Sequence, residues 1–182
     1  MFDTLMLFVV PALVLRLLGV FGVRRFATWR VAAAHGLAFL FTMTGLAHFM
    51  PDSVTVMPSH SDLVAMVPTA IPFPAFAVYA TGVLELAGAA GLLFAATRRW
   101  AGIGLAALLV VMVPANIYAA LEDIPLNGEP PTPLWFRIPE QIVYFAVALW
   151  IAQALPAIRP GREESGAPAV AGLGSTAQPG GR

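Results

Sequence analysis

Polar side chains that fall inside or beside long apolar segments are the first candidates for chemistry, because a polar group in such a setting is costly. Six of them form the candidate site: His48, Tyr79, Glu85, Asn116, Arg137 and Gln141. They offer a carboxyl that can carry a proton, an imidazole that can exchange one, and hydrogen-bond donors for a carbonyl oxygen. We predict that they form a polar pocket, and no catalytic residue is assigned.

Each of these residues also has a structural interpretation. Glu85 could be protonated, or paired with Arg137 as a structural tie bridged by Gln141. Alternatively, Arg137 could extend its stem to the lipid headgroups. Asn116 follows Pro114, and a proline ring removes one helix hydrogen bond, so the amide could bond the freed backbone carbonyl. Both interpretations stay open for every member of the set.

Metal and haem sites are not expected. A bis-histidine haem needs two facing histidines at one depth, whereas His35 and His48 lie at opposite ends of one apolar segment and His60 lies in a loop. The chain has no cysteine, which excludes disulfides and thiolate ligands. We therefore predict no cofactor held within the chain.

The elements that position these residues follow from composition. Of 182 residues, 59% are hydrophobic and 11% are charged, whereas soluble domains carry roughly 25% charged residues. The mean hydropathy is +0.80, so the expected solvent is membrane lipid. The net charge is zero, and without a basic stripe no nucleic-acid partner is expected.

Five apolar stretches have about the 20 residues that a spanning helix needs. They cover residues 5–23, 31–50, 76–96, 101–120 and 134–155. Arg16 lies inside the first, which we interpret as a retained anchor helix. Small residues in the third predict that it is the central helix. The fold class is thus all-α membrane protein: an N-terminal helix and basic loop (1–30), a four-helix transmembrane bundle (31–155) and a disordered cytoplasmic tail (156–182).

The charges of the connections predict the topology, since basic loops stay cytoplasmic. One set of connections carries arginines, and the other carries acids without any arginine: Arg24, Arg25, Arg30, Arg98, Arg99, Arg159 and Arg162 against Asp52, Asp62, Glu122, Asp123 and Glu129. The N-terminus is therefore predicted outside and the C-terminus in the cytoplasm. In the long outer loop, residues 62–67 are expected to form one or two helical turns with Ser61 or Asp62 as N-cap.

Several segments, in this order, resemble the DoxX-like family of small bacterial membrane proteins. They are Gly-Leu-Ala-His-Phe at 45–49, Met-Val-Pro at 66–68, Thr-Gly-Val-Leu-Glu-Leu at 81–86, the arginine pair at 98–99, Val-Pro-Ala-Asn-Ile-Tyr at 113–118 and Leu-Trp-Phe-Arg-Ile-Pro at 134–139. The resemblance covers residues 31–154, and its pattern includes His48, Glu85, Asn116 and Arg137. It implies a four-helix bundle in the bacterial cytoplasmic membrane, and the additional N-terminal helix departs from it.

The resemblance also implies the first functional hypothesis, because the family is named for subunits associated with quinone-linked thiosulfate oxidation. In that hypothesis the protein is a quinone- or small-molecule-interacting subunit of a membrane redox system, with Glu85 as a proton carrier and electrons supplied by a redox partner protein. If it is enzymatic, it is an accessory subunit of a quinone-linked oxidoreductase. The alternative is a non-enzymatic assembly or scaffold protein in membrane lipid, whose polar residues fix helix register. A proton-coupled transporter is a third hypothesis.

Overall fold

The computed structural model describes residues 3–153. The helices are α1 (Asp3–Val20), α2 (Trp29–Ala47), α3 (His60–Ala65), α4 (Pro74–Leu93), α5 (Arg98–Leu121) and α6 (Leu134–Ala152), with a 3-10 turn at Arg24–Phe26. Over these residues the structure is helical without strands, apart from an isolated bridge between Leu126 and Glu129. The predicted tail at 156–182 lies outside the described residues.

Four helices, α2, α4, α5 and α6, are long and apolar enough to cross a membrane. This confirms the prediction of an all-helical fold with several helices able to span a membrane, and each of the four coincides with one predicted span. The remaining predicted span corresponds to α1, whose apolar part, Thr4–Val20, is shorter. Arg16 lies in the last turn but one of α1, with its guanidinium carbon 5.4 Å from the centre of the Trp29 ring. This contact places the cation near a helix end.

The four long helices form a closed ring in which α2 contacts α4, α4 contacts α5, α5 contacts α6 and α6 contacts α2, while α1 packs against α2. Glycines allow the close approaches. A Cβ added to Gly36 would lie 2.7 Å from the Ala12 Cβ of α1, and one added to Gly102 would lie 2.7 Å from the Ala148 carbonyl of α6. The largest fully buried side chains are Leu37, Leu92, Leu105 and Ile151.

The prediction that the third span is central is wrong. In α2, 56% of the spanning window is buried, against 28% in α4. The physical reason is that α2 has three helical neighbours, since α1 covers the face that α4 and α6 leave open. The glycines of α4 do mark close contacts, with the end of α2 at Gly82 and with α5 at Gly88 and Gly91.

Successive long helices alternate in direction, so the charges separate to the two ends of the bundle. The end where α2 and α5 begin carries Arg24, Arg25, Arg30, Arg98 and Arg99, and we name it the arginine end. The opposite end carries the loop acids Asp52, Asp62, Glu122, Asp123 and Glu129, and we name it the acidic end. Both clusters of buried polar residues described below lie nearer the acidic end.

A short helix in the loop before α4 was predicted, but with a different N-cap. The N-cap of α3 is Ser59, whose hydroxyl accepts from the Asp62 N–H, while the Asp62 carboxylate accepts from the Ser59 N–H. Ser61 and Asp62 therefore lie inside the helix, because this reciprocal capping box fixes the start at Ser59. Hydrogen bonds from the Ser61 and Ser59 hydroxyls hold the pKa of the Asp52 carboxyl below its ordinary value of 3.8.

The two loops of the acidic end are tied together. The Asn127 side-chain amide donates to the Thr55 carbonyl at 2.7 Å, and the Asn127 N–H donates to the Asp62 carboxylate at 3.2 Å. The His60 ring stacks on Tyr79 of α4 with centroids 4.0 Å apart. The loop before α4 is thus attached both to the bundle and to the loop between α5 and α6.

Candidate functional site

The first buried polar group joins the end of α2 to the middle of α4; we name it the His48 cluster, and it consists of Thr44, His48 and Glu85. His48 is 7% exposed and Glu85 is 2% exposed. The Thr44 hydroxyl donates to one Glu85 oxygen at 2.6 Å, and His48 Nε2 lies 3.6 Å from the other. Gly82 makes this proximity possible, because a Cβ there would lie 2.5 Å from the His48 Cβ.

Hydrogen bonding fixes the orientation of the His48 ring. His48 Nδ1 lies 2.7 Å from the Val78 carbonyl, which can only accept, so Nδ1 carries a hydrogen. Nε2 is therefore the nitrogen that faces Glu85, at 3.6 Å from the nearer carboxylate oxygen, which is longer than a hydrogen bond.

The second group, the Glu140 cluster, connects three helices and consists of Thr4, Asn116, Arg137, Glu140 and Tyr144. One Glu140 oxygen accepts from the Thr4 hydroxyl at 2.6 Å and from the Tyr144 hydroxyl at 2.8 Å, and the other accepts from Arg137 Nη1 at 3.2 Å. Arg137 Nε also donates to the Asn116 side-chain oxygen at 3.0 Å. Because Thr4 belongs to α1, the N-terminal helix contributes directly to this cluster.

The predicted ion pair between Glu85 and Arg137 is wrong. Glu85 is bound by Thr44 and His48, whereas Arg137 donates to Asn116 and Glu140. These two sets of partners share no residue. Arg137 is also not a simple snorkelling residue, because its side chain is 25% exposed and occupied in the Glu140 cluster.

The remaining candidates do not complete a single pocket. Gln141 is 6% exposed and bridges nothing, since its side-chain oxygen is buried without a hydrogen-bond partner among the described residues. Tyr79 is 45% exposed and lies outside both clusters, against His60. Asn116 donates to the Met112 carbonyl at 3.1 Å, not to the carbonyl that Pro114 frees, which belongs to the residue four positions before the proline.

Two cavities border these residues. An apolar cleft of about 210 Å³ lies between α5 and α6, and Gln141 is its one polar residue; it is lined by Leu109, Val110, Val113, Ile138, Gln141, Ile142 and Phe145. A cavity of about 10 Å³ lies beside Asn116 and Arg137, which is room for about one water molecule. Between residues 3 and 153, no three His, Asp or Glu side chains gather as a metal ion would require.

Four members of the clusters were not among the six predicted site residues: Thr4, Thr44, Glu140 and Tyr144. Three of them carried a signal, because residues three or four apart share a helix face. Thr44 stands four before His48, Glu140 three after Arg137, and Tyr144 four after Glu140. Thr4 carried none, since its contact with Glu140 depends on how α1 docks.

A family model described as "Domain of unknown function (DUF8561)" matches residues 37–152. The chain belongs to this family. No curated protein and no solved structure matches the chain. The matched range begins within α2 and ends at the last residue of α6. It therefore contains the whole His48 cluster and every member of the Glu140 cluster except Thr4. In this DUF8561 protein, one hydrogen-bond donor to Glu140 thus comes from outside the matched region.

Proposed function

We propose that this DUF8561 protein is a DoxX-like membrane subunit that binds an amphipathic, lipid-soluble molecule, with a quinol as the ligand. The observation that carries the proposal is the apolar cleft between α5 and α6, together with Gln141 at its wall. The isoprenoid tail of a quinol suits a wall of leucine, valine, isoleucine and phenylalanine. A quinol hydroxyl can donate to the Gln141 oxygen, which has no partner in the described structure.

The approach to Gln141 requires a local movement. Its side-chain oxygen is buried, so the amide must rotate about its side-chain bonds to meet a ligand in the cleft. Rotamer changes of this kind are common when ligands bind. Arg137, four residues before Gln141, lies on the same face of α6 and is the ionisable side chain that we expect nearest the ligand head.

Ligand titration tests the proposal. The purified protein in detergent is titrated with a short-chain quinol, and binding is followed by the shift in melting temperature. Gln141→Leu removes the amide at nearly constant volume, and we expect it to weaken binding about tenfold, the effect of one hydrogen bond to a buried group. Gln153→Leu, on the same helix but at the arginine end, is the matched control and should bind as the wild type does. Equal affinities of all three proteins would refute the assignment of Gln141.

A second candidate function is favoured by a different observation. The charged and polar groups of both clusters are almost entirely bonded to one another, as expected of an assembly or scaffold protein in which they fix helix register. In that case the wild-type protein would show no saturable quinol binding. Co-purification of an oxidoreductase favours the redox role; co-purification of a membrane protein without redox centres favours the scaffold.

The proposed topology has five spans, with α1 crossing the membrane and the arginine end in the bacterial cytoplasm. It is supported by the separation of arginines from acids between the two ends. A reporter fused after Asn127 should be active only outside, and one fused after Ala157 only in the cytoplasm. An externally active reporter at residue 157 would reverse the orientation.

A further inference from the structure

A third polar group lies at the arginine end, far along the bundle from the His48 and Glu140 clusters. Arg25, from the 3-10 turn before α2, places Nη2 3.3 Å from His35 Nε2. Arg98, the first residue of α5, donates through Nε to the Leu92 carbonyl at 2.9 Å and through Nη2 to the Leu93 carbonyl at 3.4 Å. Arg98 is thereby fixed at the end of α4, with its Nη1 left without a partner in the described part of the chain.

His35 orients Arg25 without adding charge. Its Nδ1 lies 2.8 Å from the Val31 carbonyl, so that nitrogen carries the hydrogen. Its Nε2 faces a guanidinium, which can only donate, and therefore acts as acceptor. The imidazole is neutral and holds the Arg25 guanidinium in place.

The two guanidinium groups lie within electrostatic range of each other and of the His35 ring. Over residues 3–153 no carboxylate lies at this end of the bundle to compensate them: the acids are in the two acidic-end loops, near the start of α1, or in the His48 and Glu140 clusters. The first turn of α5, whose amides carry partial positive charge, adds to the same field. Within residues 3–153, Arg25 and Arg98 thus have no acidic side chain beside them.

The position of Arg25 and Arg98 relative to the membrane indicates which anion they can meet. Trp29, Trp100 and Trp150 are exposed at the same end, by 54%, 69% and 39%. Exposed tryptophans concentrate at the membrane–water interface, at headgroup level. A cation pair at that level faces the phosphates of the adjoining leaflet.

We propose that Arg25 and Arg98 bind the phosphodiester of an anionic phospholipid. Guanidinium groups match phosphate oxygens in geometry and bind them through charge-assisted hydrogen bonds. The Phe26 ring, whose centre lies 5.9 Å from the Arg25 guanidinium carbon, offers an apolar surface to the first carbons of the acyl chains. This site is independent of the quinol cleft, which lies between the acidic-end halves of α5 and α6.

The test compares two pairs of arginines that carry the same charge. R25Q/R98Q removes the proposed site, and R24Q/R99Q removes two arginines from the same two connections. The melting temperature of each protein in neutral detergent is followed as phosphatidylglycerol is added, with phosphatidylcholine and inorganic phosphate as separate arms. Phosphatidylglycerol should stabilise the wild type and R24Q/R99Q alike, with half-saturation about tenfold higher in R25Q/R98Q, which corresponds to ~1.4 kcal/mol.

Three outcomes would overturn the proposal. An equal loss in both double variants would mean a diffuse attraction to the whole arginine end. An equal response to inorganic phosphate would mean a site for free anions, and an equal response to phosphatidylcholine would mean that charge is not recognised. R25Q alone leaves the Arg98 bonds to α4 intact, so it tests the site even if R25Q/R98Q does not fold. It should also weaken the phosphatidylglycerol response while R24Q does not.

Discussion

Energetic coupling should follow the two clusters, so that Arg137 is coupled to Glu140 and independent of Glu85. Arg137 donates to the Glu140 carboxylate at 3.2 Å, and that carboxylate is 1% exposed. Removing either partner leaves the other as an unpaired charge, whereas removing both does not. Arg137→Gln and Glu140→Gln should each destabilise the protein, and the double variant should lose less than their sum.

The size of this coupling can be bounded from the structure. A hydrogen bond to a charged group contributes about 1.5–3 kcal/mol, but a quarter of the Arg137 side chain is exposed, which weakens the pair. Double-mutant cycles within membrane bundles average about 0.6 kcal/mol and reach about 1.7. We therefore expect a coupling of about 1 kcal/mol between Arg137 and Glu140. For Arg137 and Glu85, which share no partner, additivity within about 0.5 kcal/mol is expected.

The assay is reversible unfolding in mixed micelles, followed by helicity, on the wild type, the three single variants and the two double variants. Glu122→Gln, at an exposed carboxylate in the acidic-end loop, is the control for loss of a charge and should change stability by less than about 0.5 kcal/mol. Coupling near 1 kcal/mol between Arg137 and Glu85 would show that the clusters are one network. Strict additivity of Arg137 and Glu140 would show that their ion pair contributes nothing.

Three further predictions concern packing, helix docking and pH. Gly82→Ala should lower the free energy of unfolding by about 1–3 kcal/mol, because its Cβ would lie 2.5 Å from that of His48. The control Gly104→Ala, whose Cβ would meet nothing within 4 Å, should not destabilise, and equal effects of the two variants in a melting assay would contradict the contact. Thr4→Val should cost about 1 kcal/mol and expose α1 to proteolysis, and an unchanged digestion rate would mean that its bond to Glu140 does not hold the helix. The lowered pKa of Asp52 makes its contribution to stability full above pH ~4 and lost as the pH falls through the folded-state pKa, so the melting-temperature advantage over Asp52→Asn should vanish at low pH; an advantage constant with pH would refute this.

The long helices could be predicted because lipid imposes a simple requirement on sequence. A spanning segment must be apolar for about 20 residues, and α2, α4, α5 and α6 each satisfy it in a continuous run. Which helix is central could not be predicted in the same way. Gly82 and its small neighbours report that something packs closely, but the number of neighbours depends on ring closure between α2 and α6 and on the docking of α1.

For the site residues, the sequence predicts the depth along each helix but not the direction in which the side chain faces. Counting residues at about 1.5 Å each gave the depth of Glu85, Asn116 and Arg137 along their own helices. It did not give the rotation of each helix about its axis, and that rotation decides which side chains meet. Glu85 therefore faces Thr44 and not Arg137. Hydroxyl groups were missed for a related reason: a threonine in an apolar segment is inconspicuous until its partner is known.

Stability and binding should oppose each other at Gln141, since its oxygen is the one buried side-chain acceptor in the described structure without a hydrogen-bond partner. The neighbouring Glu140 carboxylate, by contrast, accepts three hydrogen bonds on its two oxygens. An unsatisfied buried polar atom costs about 1–3 kcal/mol. Gln141→Leu should therefore raise the ligand-free melting temperature, while Gln153→Leu, at an exposed helix end, should leave it nearly unchanged. If quinol binding supplies the missing donor, the same variant must also lose affinity, as expected where a site is retained at a cost in stability. A stabilised variant with unchanged affinity would mean that Gln141 only lowers stability and that the cleft binds its ligand through apolar contact alone.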